Sequence, residues 1–147
     1  MQKIKIYTDG GARGNPGPAG IGAVFMSEDG VIIKKFGEFI GRATNNQAEY
    51  QAVILALKKA KQVFGKNKTK QLGLEIYGDS ELITRQLNGA YRIKEPDLQP
   101  LFCEVWNLKM DFGEVKFFNV PREKNSEADK LVNEAIDKQG KKIDLGI

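Results

Sequence analysis

Three strand-like runs follow one another before any helical period begins, and that order constrains the fold more than anything else in the chain. Lys3–Thr8 alternates polar and apolar residues with period two. Gly10–Gly20 is rich in Gly and Pro and reads as a long loop. Gly22–Ser27 and Val31–Ile40 read as two more strands, joined by the hairpin signal Glu28-Asp29-Gly30. The opening is therefore an antiparallel three-strand meander.

The strongest helical period comes next, over Thr44–Phe64. Thr44 with Gln47 three residues on has the form of a capping box. Ala48, Ala52, Val53, Leu55, Ala56, Ala60 and Val63 supply the apolar stripe. Gly65–Gln71 is a basic turn segment, and Leu72–Tyr77 is a strand. Asp79 or Ser80 can cap a short helix that Asn88-Gly89 stops. Asp97–Lys109 reads as a helix, Glu114–Val120 as a strand and Glu123–Lys138 as the last helix. Three strands followed by alternating helices and strands predict an α/β fold, a mixed sheet with helices packed on it. The 147 residues fit one domain, residues 1–140, with 141–147 as a C-terminal tail that either frays or docks.

Four acids stand where ordinary structure would not put them. Asp9 closes the first strand and Asp79 follows the Leu72–Tyr77 strand. Glu49 and Asp129 each fall on the apolar stripe of a helix, where a charge is costly unless it is paired or holds a metal. Taken singly, Asp9 can be a turn starter, Asp79 an N-cap and the amides Asn45-Asn46 ordinary helix-start residues. Taken together, the four suggest one carboxylate cluster, a set of hard oxygen ligands suited to Mg2+ or Mn2+. That points to metal-assisted phosphoryl chemistry. The Gly-rich stretch after Asp9 lacks a Lys-Ser/Thr pair and leads into no helix, so it is not a nucleotide P-loop.

Composition narrows the classes further. The chain has no histidine, which excludes a catalytic His triad and a His-based zinc site. Cys103 is its one cysteine, so no intrachain disulfide forms, as expected of a cytoplasmic protein. Its place in Leu101-Phe102-Cys103 reads as a small core residue. The net charge of +4 suits a polyanionic partner. No signal-peptide pattern opens the chain, and no apolar run approaches the ~18 residues of a membrane span.

The motifs now on the page resemble one family. Tyr7-Thr8-Asp9-Gly10-Gly11, Gly14-Asn15-Pro16-Gly17-Pro18, Thr44-Asn45-Asn46-x-Ala48-Glu49, Asp79-Ser80 and Asn125-x-x-Ala128-Asp129 are similar in order and spacing to type 1 ribonuclease H over residues 3 to 138. The resemblance implies a ribonuclease H-like fold, a five-stranded mixed sheet of order 3-2-1-4-5 flanked by helices. It implies endonucleolytic hydrolysis of the RNA strand of RNA–DNA hybrids, leaving 5′-phosphate and 3′-hydroxyl ends. Asp9, Glu49, Asp79 and Asp129 match the family's catalytic and metal-binding acids, which imply two Mg2+ ions, with Mn2+ as an alternative, ~3.5–4 Å apart. Gly10, Gly11, Asn15, Asn45 and Asn46 match its RNA-contacting positions. Arg42-Ala43-Thr44 matches its phosphate pocket for the DNA strand, and Arg122 and Asn125 complete the substrate set.

Two departures bear on specificity. Many members carry a His before the last acid; here Val120–Lys124 has none, and Arg122, Glu123 and Lys124 are the candidates to replace it. Some members insert a basic, Trp-containing protrusion; here Gly89–Asp97 supplies only Arg92 and Lys94. The chain thus resembles a His-less, protrusion-less subgroup, a resemblance that implies RNA–RNA duplexes as a further substrate of some members. The chain is expected to be a monomer with no membrane partner. A non-catalytic binding module, another nuclease of the same fold and a purely structural domain are the rival readings. Four retained acids argue against the first.

Overall fold

The computed structural model describes residues 1–139 and 143–146. Strands β1 (Gln2–Ala12), β2 (Gly17–Ser27) and β3 (Ile32–Ala43) form the antiparallel meander. Helix α1 (Asn45–Phe64) and the short α2 (Lys66–Thr69) lead to β4 (Leu72–Gly78), which runs parallel to β1. Helices α3 (Glu81–Leu87) and α4 (Gln99–Lys109) precede β5 (Glu114–Asn119), parallel to β4. A 3-10 turn, Arg122–Lys124, precedes α5 (Ser126–Lys138).

The sheet order is β5-β4-β1-β2-β3-β6. The expected order 3-2-1-4-5 is contained in it. The sixth strand, β6 (Ile143–Gly146), was not foreseen: it pairs antiparallel with Lys34–Gly37 of β3. Part of the expected tail thus docks as a strand, while 140–142 and 147 lie outside the described residues.

The long loop expected over Gly10–Gly20 is a misreading with a clear cause. β1 continues to Ala12 and β2 starts at Gly17, so only Arg13–Pro16 connects them. The glycines serve close packing. Consecutive residues of a strand face opposite sides. A Cβ on Gly10 would lie 2.2 Å from the Ala48 carbonyl oxygen of α1. On the other face, a Cβ on Gly20 would lie 2.7 Å from the Val132 carbonyl oxygen of α5, and one on Gly22 2.9 Å from that of Ala128. The sheet is therefore gripped between α1 and α5 where its glycines let helix backbones approach. Gly22→Ala is expected to cost about 1–3 kcal/mol through overpacking against α5. Thermal unfolding checks this: an unchanged Tm would mean that α5 does not press on this strand.

The core lies mainly between the sheet and α1. Ile4, Ile6, Phe25, Tyr50, Leu57 and Leu74 are fully buried in it. Thr44 caps α1 in a reciprocal capping box: Gln47 N–H donates to Thr44 Oγ1 at 3.1 Å, and Thr44 N–H donates to Gln47 Oε1 at 2.9 Å. The buried Tyr50 hydroxyl donates to Gln86 Oε1 at 2.7 Å, tying α1 to α3. Cys103 is exposed rather than in the core. The inward side of α4 is carried by Val105, flanked by the half-buried Leu101 and Leu108, and Cys103 falls off that stripe. Among the described residues, no helix is long and apolar enough to cross a membrane.

Candidate active site

Parallel pairing of β1 and β4 brings two of the acids side by side. Asp9 lies in β1 and Asp79 directly follows β4, while Glu49 enters from the first turns of α1. One carboxylate oxygen from each of the three lies within 4.8 Å of the others. The choice between the two capping readings is settled at α3. Ser80 is the N-cap, its Oγ accepting from Ile83 N–H at 3.2 Å, so Asp79 stays outside the helix and beside Asp9.

Two donor groups fix this trio. Gly10 N–H donates to Glu49 Oε1 at 2.7 Å and to Asp9 Oδ1 at 3.0 Å, joining the acids of β1 and α1. Asn125 Nδ2 donates to Asp79 Oδ2 at 3.1 Å and to the Thr8 carbonyl at 2.8 Å. Asn125 was expected to touch substrate; it is 1% exposed and positions Asp79 instead. Asn125 ends the 3-10 turn Arg122–Lys124 and precedes α5, so the expected Glu123–Lys138 helix begins only at Ser126. Asn125→Ala is expected to destabilise the fold by about 1–3 kcal/mol. It should also weaken divalent-ion binding ~10–100-fold by loosening Asp79. Calorimetric titration of the folded variant checks the second effect; wild-type affinity would refute the positioning role.

The electrostatics follow from crowding. Burial, then the charges of Asp79 and Asp129, push the Asp9 carboxyl up to about 7. Burial, then Asp9 and Asp79, push Glu49 well above the usual carboxylate range. Hydrogen bonds from Gly10 oppose both shifts without cancelling them. A divalent cation among these oxygens would relieve the repulsion, and an all-oxygen donor set fits a hard ion.

The fourth acid reaches the cluster from its rim. Asp129 was expected on the apolar stripe of α5, but it is exposed on the first turn. The buried stripe is Ala128, Leu131, Val132, Ala135 and Ile136, so Asp129 falls just beside it. It lines the same cleft of about 410 Å³ as Asp9, Glu49 and Asp79. Asn133 Nδ2 donates to the Asp129 carbonyl at 3.1 Å and lies 3.4 Å from its Oδ2. Asp129 is thus an exposed rim carboxylate that acts directly on Asp9, although its oxygens do not join the mutual 4.8 Å set of the other three.

The remaining nominated residues divide into groups. Gly10, Gly11, Asn45, Asn46 and Arg122 line the cleft. Asn15 and Asn45 also hold the β1–β2 connection to α1: Asn45 N–H donates to Asn15 Oδ1 at 3.0 Å, and Ala12 N–H to Asn45 Oδ1 at 2.8 Å. Arg42 lines a separate depression with Gln47 and Asp97, and the Thr44 hydroxyl is engaged as the helix cap. Sequence reasoning missed Arg13 and Asn133, which also line the cleft. Asn133 could have been found by its i+4 spacing from Asp129. Arg13 gave no such signal; it is held by Asp137 at 2.7 Å.

Residues 7–135 match the family model described as reverse transcriptase-like. The chain is 32% identical to a ribonuclease H of Chromohalobacter salexigens, across 93% of this chain and 86% of that protein. The chain belongs to the type 1 ribonuclease H family. Ribonuclease HI of Halobacterium salinarum is 44% identical over 92% of this chain, which spans 65% of that relative's length. A crystal structure of LC11-RNase H1 in complex with an RNA/DNA hybrid superposes with a TM-score of 0.88. It is 49% identical and covers 92% of this chain and 97% of that one. The ribonuclease H fold therefore accounts for the sheet, the flanking helices and the position of the acids within β1 and just after β4.

Proposed function

We propose that this chain hydrolyses the RNA strand of RNA–DNA hybrids, leaving 5′-phosphate and 3′-hydroxyl ends, with two Mg2+ ions as cofactor and Mn2+ as a substitute. The observation that carries this reading is the convergence of Asp9, Glu49 and Asp79 oxygens within 4.8 Å in an open cleft. When bound, such ions lower the pKa of an attacking water and neutralise charge on the scissile phosphate. The chain's own residues set the stage. The three inner carboxylates would hold the ions, and Asp129 would add a fourth from the rim. Gly10 N–H and Asn125 keep the acids oriented. Gly11, Asn45 and Asn46 face the cleft where a 2′-hydroxyl can be read, and that group tells RNA from DNA. Arg122 at the rim offers a phosphate contact, and Arg42 a second one from its own depression. The hybrid relative of known structure supports this choice of substrate.

RNA–RNA duplex is the second substrate of this reading. Residues 88–98 form turns and irregular backbone between α3 and α4, and Arg92 and Lys94 are the cations they carry. The enzyme is read as a monomer, and its lone thiol fits a reducing cytosol. Labelled hybrid, RNA duplex and DNA duplex, each with and without chelator, test the proposal together. Chelator-sensitive cleavage of the hybrid is the expected result. Equal cutting of DNA duplex, or no cutting at all, would overturn it.

A further inference from the structure

The basic turn segment of the sequence lies at the far end of α1 from the acids. Glu49 sits beside the cleft and Phe64 ends the helix, about 22 Å further along its axis. Residues 58–70 hold six lysines and no acid. Asp111 is where several of them meet. Lys61 Nζ lies 2.7 Å from its carboxylate, and Lys70 Nζ donates to the neighbouring Met110 carbonyl at 2.8 Å. The Lys61 hydrogen bond first, then the charges of Lys61, Lys70 and Lys66, hold the Asp111 carboxyl below its ordinary range. One acid therefore faces three cations. Lys66, Lys68 and Lys70 are all exposed.

An aromatic group stands beside these charges. Trp106 on α4 is 52% exposed and Lys109 Nζ lies 4.8 Å over its ring, with Met110 next to it 59% exposed. α4 packs on α1, and Lys58 pairs with Glu104 at 3.2 Å. The molecule is thus polarised along α1: carboxylates at one end, lysines with an exposed indole at the other. Clustered Lys beside an exposed aromatic ring is the chemistry that holds a phosphate backbone while stacking on bases.

We infer that this lysine pole is a second nucleic-acid contact, one that grips phosphates outside the cleavage cleft. It rests on the hybrid reading above only for the identity of the polyanion. Its role is to hold flanking nucleic acid in a protein whose 88–98 segment offers little grip.

Trp106 is the one tryptophan of the chain, so its emission reports on this pole alone. In chelator, the full chain is titrated with a hybrid roughly two helical turns long, following Trp emission and the dissociation constant across about 50–200 mM salt. Quenching of Trp106 is expected. Lys66→Glu/Lys68→Glu/Lys70→Glu should make the log–log salt slope shallower by about 2–3. The milder Lys66→Gln/Lys68→Gln/Lys70→Gln should do nearly the same, with an unchanged Tm. With Mg2+ restored, kcat on a hybrid too short to leave the cleft should stay at the wild-type value. Unquenched Trp106 at saturation, or unchanged slopes in both variants, would overturn the inference. So would tighter binding to phosphatidylserine vesicles than to hybrid at equal salt, which would make the pole a lipid-facing surface. Failure of all variants and wild type to cut any hybrid, with quenching intact, would instead strike the proposed activity and leave the pole standing.

Discussion

Asp9→Asn is expected to lose metal-dependent cleavage by on the order of 10³-fold or more while leaving the metal-free protein more stable than wild type at pH 8. The first half follows from position. Asp9 is 8% exposed and contributes an oxygen to the converging trio, so its loss removes an anionic ligand from the ion site. Ion contacts to a reacting phosphate are worth several kcal/mol, and each ~1.4 kcal/mol is tenfold in rate. The second half follows from repulsion. The charges of Asp79 and Asp129 act against an ionised Asp9, and an amide of the same shape escapes them. Steady-state cleavage and thermal unfolding in chelator read the two halves separately. A variant that loses activity and stability together would show that Asp9 holds the fold, not an ion.

The second large effect is a pH dependence that a divalent cation should erase. Asp9 titrates near 7 in the fold against an ordinary value of 3.8, for reasons of burial first and neighbouring charge second. A raised carboxyl favours the folded state while it is protonated. Its contribution is fully present below pH ~4 and is lost as pH rises through about 7. Over that window the metal-free protein should lose on the order of 4 kcal/mol from Asp9. Glu49 is shifted in the same direction and adds to the loss. Saturating Mg2+ binds only the ionised cluster, so it should restore stability most strongly above pH 7 and little near pH 4. Denaturant midpoints at several pH values, with and without Mg2+, give the comparison. A flat chelated profile would remove the case for a strained carboxylate cluster.

How far the sequence could be read depended on what each residue's signal encodes. The neighbouring acids of β1 and β4 were legible because period-two runs mark the strands that carry them and parallel strands lie side by side, although Asp9 falls inside β1 and not at its end. The capping box at Thr44 was legible because it is local. Gly10 and Gly20 were misread because glycine marks both turns and close approach of a helix, and only a partner 38 or more residues away distinguishes them. Asp129 and Cys103 were misplaced because helical periodicity fixes a stripe but not its width. Asn125 was the hardest: its two hydrogen bonds reach Thr8 and Asp79, positions no local pattern connects to it. The β6 pairing with β3 rests on strand-edge complementarity, which leaves no mark in so short a run.

The cleft draws its carboxylates from β1, α1, the end of β4 and α5, so its parts are spread from one end of the chain to the other. On the proposed reading, the emerging polypeptide would hold no complete carboxylate set until α5 has left the ribosome and closed over the sheet. Competence should therefore switch on late and in a single step, and a nicked or shortened product should be inert unless its missing piece is supplied in trans.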